Sequence, residues 1–405
     1  MILLPTSRKD TWADGKRERN QMRIAIMTDS YLPTRDGVVT AVMTLSKSLR
    51  DLGHTVFIIA PDPGEKQREP GVYYFPAMKF KKYPDYFLPV FPSDKKALIE
   101  SLNVDIIHIH GVAFMALKGL IVSRSTGVPA VATYCTNVVD TMEFYSPLPL
   151  PMEIQSKLAW TYMRNFLKRP KCIIALTPAT ITEFEENNVK TRRTEVMPVG
   201  IDVNRFRLGL DGSEIRKRHN LTDEKIVIHV GRVSFEKNIG IPIKAMKYLP
   251  SNVKLMIVGK GPAFQEMKDL VRAEDLENRV IFTGFVPDDE LARYYSAADV
   301  VVSASRFETQ GLTIAEAMAC GLPAACSDGR AFLDVVQEGV NGYFFKDTPE
   351  QCAEAIKKCL ESKDRVSQNA RKTAESYSME AVAKKMIKLY EEIVEVRLPK
   401  DLPQY

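Results

Sequence analysis

Glu308 and Glu316 stand eight residues apart, with Gly311 between them, in the run Arg306-Phe307-Glu308-Thr309-Gln310-Gly311-Leu312-Thr313-Ile314-Ala315-Glu316. The apolar run 300–303 predicts a buried strand feeding this loop, and 312–319 is dense in helix formers and free of breakers. A strand, a glycine turn and a helix N-terminus together expose backbone N–H groups with no helical partner, which suits an anion. Carboxylates flanking such a site can accept hydroxyls of a sugar and of a ribose on either side of a diphosphate. A second constellation, Gly231-Arg232-Val233-Ser234-Phe235-Glu236-Lys237-Asn238, follows the apolar run 226–230. Arg232 and Lys237 share one predicted loop, so both cations can converge on one anion and neutralise charge that builds on a leaving diphosphate. Either pattern alone is also what a surface loop with solvated charges looks like.

The two stretches together resemble the GR-x-x-x-x-K-N and E-x7-E elements of retaining GT-B glycosyltransferases, glycosyltransferase family 4, group 1. The resemblance runs from Met22 to about Val394. It implies two Rossmann-like domains facing across a cleft, with the acceptor bound mainly by the first and a nucleotide-diphospho sugar mainly by the second. Glu316 would then hold the ribose, Glu308 the sugar hydroxyls, and Gly311, Leu312 and Thr313 the phosphates. Arg232 and Lys237 would stabilise the departing diphosphate. In the family Gly37 lies over the donor phosphates and a histidine at the position of His110 lies against the donor sugar. Asp29 and Tyr134 are the acceptor-side candidates. Thr133-Tyr134-Cys135-Thr136 departs from the T-Y-H-T common in relatives that glycosylate lipids, because Cys135 replaces the imidazole. No carboxylate stands out as a nucleophile, so front-face transfer is expected, with no metal or other cofactor beyond the nucleotide sugar as co-substrate.

Positioning these residues requires two series of alternating strands and helices, the pattern of doubly wound parallel sheets. The first series has apolar runs at 23–27, 55–60, 104–111, 129–134, 172–176 and 194–197. His108 and His110 share one face of the third run. The second series has runs at 226–231, 254–259, 280–284 and 300–303. The expected organisation is an extension or leader over 1–21, an acceptor domain over 22–199, a donor domain over 200–378, and a terminal helix over 379–405 that crosses back to the first domain. The hinge is expected within 199–211.

Composition bounds the function. The chain has 405 residues, 45% hydrophobic and 26% charged, which fits two ordinary α/β domains of roughly 150 residues or more. A net charge of +5 gives no reason to expect nucleic acid as a partner. Six cysteines make no CxxC pair, so reduced thiols in a cytoplasmic protein are expected, and no apolar run reaches membrane-span length.

The segment 147–171 repeats Ile154, Leu158, Tyr162 and Phe166 every fourth residue beside Lys157, Trp160, Arg164, Lys168, Arg169 and Lys171. Such a helix either packs on a core with a basic outer face or lies on an anionic membrane. Lys79, Lys81 and Lys82, interleaved with Phe80, Tyr83, Tyr86 and Phe87, form a second basic-aromatic patch. The two patches, with the Thr-Gln-Gly-Leu run after Glu308, favour a diacylglycerol-type lipid acceptor, a UDP-glucose-like donor and a peripheral place on the inner membrane face. Phospholipid or soluble-sugar acceptors, GDP-sugar donors, a non-catalytic nucleotide-sugar-binding protein and a UDP-N-acetylglucosamine epimerase are the alternatives.

Overall fold

The computed structural model describes residues 21–34, 36–79, 87–90, 96–135 and 151–395. The expectation for residues 1–20 lies outside them, as do Lys81, Lys82 and their aromatic neighbours 80, 83 and 86. The first sheet takes β1 (Arg23–Thr28), β2 (Thr55–Pro61) and β3 (Val72–Phe75). A separate antiparallel pair, β4 (Ala77–Lys79) and β5 (Phe87–Pro89), follows. The sheet continues with β6 (Ile106–His110), β7 (Ala130–Tyr134), β8 (Cys172–Ala175) and β9 (Thr194–Val196). All neighbours pair parallel in the order β3-β2-β1-β6-β7-β8-β9. Parallel strands covered on both faces need continuous apolar sequence, and every residue of β6, β7 and β8 is buried.

The second sheet comprises β10 (Lys225–Val230), β11 (Val253–Val258), β12 (Val280–Gly284), β13 (Val300–Ser303), β14 (Ala324–Ser327) and β15 (Gly342–Phe345). Its parallel order is β12-β11-β10-β13-β14-β15, so the winding direction reverses between β10 and β13. Ligands of open α/β sheets gather at the strand C-termini beside such a switch point. The loops leaving β10 and β13 carry Arg232, Lys237 and Glu308, and the helix that follows the second loop carries Glu316.

The terminal helix, Met379–Glu395, returns to the first domain as the resemblance implies. Its Ala383, Met386, Leu389, Tyr390 and Ile393 pack with Val42, Leu45 and Leu49 of the helix Gly37–Asp51. Tyr390 Oη lies 2.5 Å from His108 Nδ1, and His108 Nε2 lies 2.7 Å from Thr133 Oγ1, so this buried imidazole has both ring nitrogens partnered.

Candidate active site

Arg232 and Lys237 sit on the loop leaving β10, beside the loop leaving β11. Val233 N–H donates to Lys260 C=O at 3.1 Å, and Ala263 N–H donates back to Val233 C=O at 3.0 Å, which fixes the backbone between the two cations. The Lys237 ammonium is paired with the Glu308 carboxylate, and each side chain keeps about one fifth of its surface in water (21% and 22%). The structure thus joins the two motifs, 71 residues apart in sequence, at one point.

Gly311 caps the helix Leu312–Ala319 with φ at 79°, a left-handed conformation that costs other residues strain. A Cβ there would also stand 2.6 Å from the Phe332 ring. Leu312 and Thr313, half-exposed, open the helix, so their N–H groups have no carbonyl one turn back. Glu316 lies one turn further in, buried at 7% exposure, and accepts a hydrogen bond from Tyr295 Oη at 3.0 Å. Burial pushes its carboxyl up to about 7, against the pull of the Tyr295 hydroxyl and the Arg205 guanidinium, while Asp288 adds to the rise. Tyr295, Arg205 and the buried His229 are site residues that no motif pointed to. His229 Nδ1 faces Val302 C=O at 3.3 Å, and burial holds its imidazole down to about 4, with Lys237 adding to the depression.

The candidates on the first domain fare differently. Gly37 begins the helix Gly37–Asp51, where Asp36 accepts Val39 N–H at 2.9 Å, and the space over its Cα is open. His110 is 3% exposed and neither ring nitrogen has a hydrogen-bond partner. It lines a small cavity with Thr133, Val199, Gly200 and Met379, under the crossing between the domains, and burial depresses its pKa to about 3. Asp29 is engaged by the backbone of its own domain. Its Oδ2 takes Ala113 N–H at 2.8 Å and its Oδ1 takes Met115 N–H at 2.7 Å, so both oxygens serve the start of the helix Phe114–Thr126. Tyr134 is a core residue, 1% exposed, with its ring edge-on to Phe184 and its hydroxyl 3.4 Å from Glu183.

The basic helix is Met152–Leu167. Trp160 is withdrawn from its surface, packed in the first domain's core with Met163, Phe166 and Leu167. Arg164 is half-buried and donates to Asn187 C=O at 3.1 Å, a structural contact. Lys157, Lys168 and Arg169 are exposed, together with the apolar Met152, Ile154 and Leu158, whose exposures are 38%, 48% and 56%. Among the described residues no helix is long and apolar enough to cross a membrane.

Residues 211–377 match the family model described as glycosyl transferases group 1, and residues 35–205 match glycosyltransferase family 4. The chain is 29% identical over 394 residues to an alpha-monoglucosyldiacylglycerol synthase of Acholeplasma laidlawii, covering 92% of this chain and 98% of that one. It is 30% identical over 314 residues to the enzyme of the same name from Streptococcus pneumoniae, covering 75% of this chain and 70% of that one. A sucrose-phosphate synthase from Thermosynechococcus elongatus shares the fold at a TM-score of 0.77 and 22% identity, over 93% of this chain and 100% of that one.

Proposed function

The chain belongs to glycosyltransferase family 4 and is a hexosyltransferase, and from that premise we propose that it moves glucose from UDP-glucose to a diacylglycerol-type membrane lipid with retention of configuration. The observation that carries this reading is the similarity to glucosyldiacylglycerol synthases, one of them matched over nearly its full length, in a chain that pairs Lys237 of one motif with Glu308 of the other.

In this mechanism Glu316 accepts the ribose hydroxyls and Glu308 the sugar hydroxyls. The N–H groups of Gly311, Leu312 and Thr313 hold the phosphates at the positive end of the helix. Arg232 and Lys237 take up the charge that grows on the diphosphate as the glycosidic bond breaks, the role a metal ion plays in other transferases. The nucleotide sugar is then the only co-substrate required. His110, neutral and without a protein partner, is the group on the first domain suited to a donor-sugar hydroxyl. The acceptor hydroxyl enters on the same face as the departing phosphate, which takes its proton.

Thermal melts with UDP-glucose, UDP-galactose, UDP-N-acetylglucosamine and GDP-mannose test the donor. UDP-glucose should raise the melting temperature by mass action and the others less. A larger shift with GDP-mannose, or transfer of mannose to lipid extract, would overturn the glucosyl reading. Recovery of an epimerised sugar nucleotide instead of a glycolipid would overturn transfer itself.

The exposed Ile154, Lys157 and Leu158 on one side of the helix, with Lys168 and Arg169 just past its end, support peripheral docking on an anionic leaflet at the inner face of the cell membrane. Each cation near such a surface contributes about 1 kcal/mol. Replacing Lys157, Lys168 and Arg169 by glutamine should therefore weaken binding to phosphatidylglycerol vesicles on the order of a hundredfold. Arg164 is kept, because its contact with Asn187 is structural. Equal sedimentation of both proteins with these vesicles would sink the docking proposal.

A further inference from the structure

Gln310 lies between Glu308 and Gly311, is 3% exposed, and points away from the cleft floor towards the chain that joins the two domains. Its Oε1 accepts Val199 N–H at 2.5 Å and its Nε2 donates to Val199 C=O at 3.0 Å. A primary amide thus satisfies both backbone groups of one residue, an arrangement that needs one acceptor and one donor side by side. Val199 belongs to the first crossover between the sheets, and the second crossover lies directly against it. Ile201 N–H donates to Tyr377 C=O at 2.8 Å, and Met379 N–H donates to Ile201 C=O at 2.9 Å. Gly200 permits this closeness, since a Cβ there would stand 2.4 Å from Met379 Cα. Next to Gln310, the Thr309 hydroxyl donates to Cys135 C=O of the first domain at 3.4 Å.

The loop that carries Glu308 and delivers the Leu312 and Thr313 N–H groups is therefore tied to the first crossover and to the opposite domain, and through the first crossover to the second. We propose that Gln310 is a positioning residue that fixes the donor loop in register with the interdomain crossover, so that domain placement and the position of Glu308 are set together. This rests on the glycosyltransferase reading of the cleft. Gln310 touches no reacting atom. It acts through Glu308 and the helix N-terminus, where displacement by about 1 Å is enough to cost a large factor in rate.

The two-point pairing makes a specific chemical prediction. In Gln310→Glu the carboxylate still accepts Val199 N–H, but its second oxygen faces the Val199 carbonyl and repels it. Only the protonated acid restores the donor. Burial and the facing carbonyl raise the pKa of that acid. The pairing is therefore present below that pKa and lost as pH rises through it. Gln310→Met has similar length and no polar atoms, so it loses both bonds at every pH.

The experiment measures sugar transfer by the full chain and both variants between pH 6 and pH 8, together with hydrogen exchange of peptides covering 197–203 and 306–314. Gln310→Met should lower kcat about tenfold or more at all pH values, with a smaller change in the donor KM. The ratio of Gln310→Glu to wild-type activity should climb at least severalfold on going from pH 8 to pH 6, which a residue acting only by packing would not produce. In Gln310→Met, exchange should rise in both peptides together. A flat ratio for Gln310→Glu, or wild-type kcat in Gln310→Met, would overturn the proposal. The exchange arm needs no sugar. If the wild type transfers none of the donors tried, the substrate reading fails alone, and independent exchange of the two peptides would then refute the role of Gln310.

Discussion

Lys237→Met should lower the rate of sugar transfer on the order of a hundred- to a thousandfold. The magnitude follows from the job proposed for the ammonium. Charge moves onto the diphosphate as the bond to the sugar breaks, and a preorganised cation in a partly dry cleft stabilises that state more than the ground state. Lys237 and Glu308 each keep only about one fifth of their surface in water (21% and 22%), so removing the cation also leaves a largely buried carboxylate unpaired, and a lower melting temperature should accompany the loss of rate. Steady-state kinetics on Lys237→Met, Glu308→Gln and the double variant separate the roles. If the pair works as one unit, the double variant will be scarcely slower than the worse single variant. The substitution also removes the charge that helps depress His229 while leaving Glu308, which raises it. Activity of Lys237→Met within tenfold of wild type would refute the electrostatic role.

The strands that position the site were legible because parallel, doubly covered strands write themselves as unbroken apolar runs. β14 and β15 escaped for the opposite reason. Ala324-Ala325-Cys326-Ser327 consists of small residues without β-branching, and Gly342–Phe345 is a four-residue strand that opens on a glycine directly behind the turn Gly339-Val340-Asn341. The helix Met152–Leu167 shows how spacing misleads. A stripe of every fourth residue advances about 40° per step around an α-helix. Ile154 and Leu158 therefore stand in water while Phe166, on the same nominal stripe, is buried. Trp160 follows the buried side, and its aromatic surface is spent on the core. Asp29 and Tyr134 occupy strand C-termini, as acceptor residues would, yet their polar atoms are turned to a helix start and to Glu183.

Glu308, Glu316, Arg232 and Lys237 could be nominated as candidates because each sits in a run whose local structure is dictated by its neighbours. Tyr295, Arg205 and Gln310 could not, because their significance lies in contacts between distant segments. Nothing near Tyr295 in sequence marks it as the partner of a carboxylate 21 residues later. Nothing in the Thr-Gln-Gly run says that the glutamine reaches a backbone 111 residues earlier.

Glu316→Gln is expected to make the ligand-free protein more stable at pH 8 and the donor-bound protein less so. Burial raises the Glu316 carboxyl to about 7 from the usual carboxylate range, so the fold prefers its neutral form. The associated stability is fully present below the unfolded-state pKa and is lost as pH rises through the folded value. At pH 8 the wild type therefore carries a penalty on the order of 3 kcal/mol that the amide never meets. Tyr295 Oη can still donate to the amide oxygen, so the packing and the hydrogen bond survive. The ligand-free variant should melt on the order of 5 °C higher than wild type at pH 8 and at a similar temperature near pH 4. Donor binding reverses the order. Ribose hydroxyls donate to a carboxylate more strongly than to an amide, and an unfavourable ionisation is recovered when they do. Donor affinity of the wild type should consequently rise with pH up to about 7 and level off, while that of the variant is weak and flat. Melting curves at pH 5, 7 and 8 with and without UDP-glucose contain the whole test. A buried carboxylate kept at a cost to the fold is a functional group, and a variant that gains no stability at alkaline pH would show that Glu316 bears no such cost.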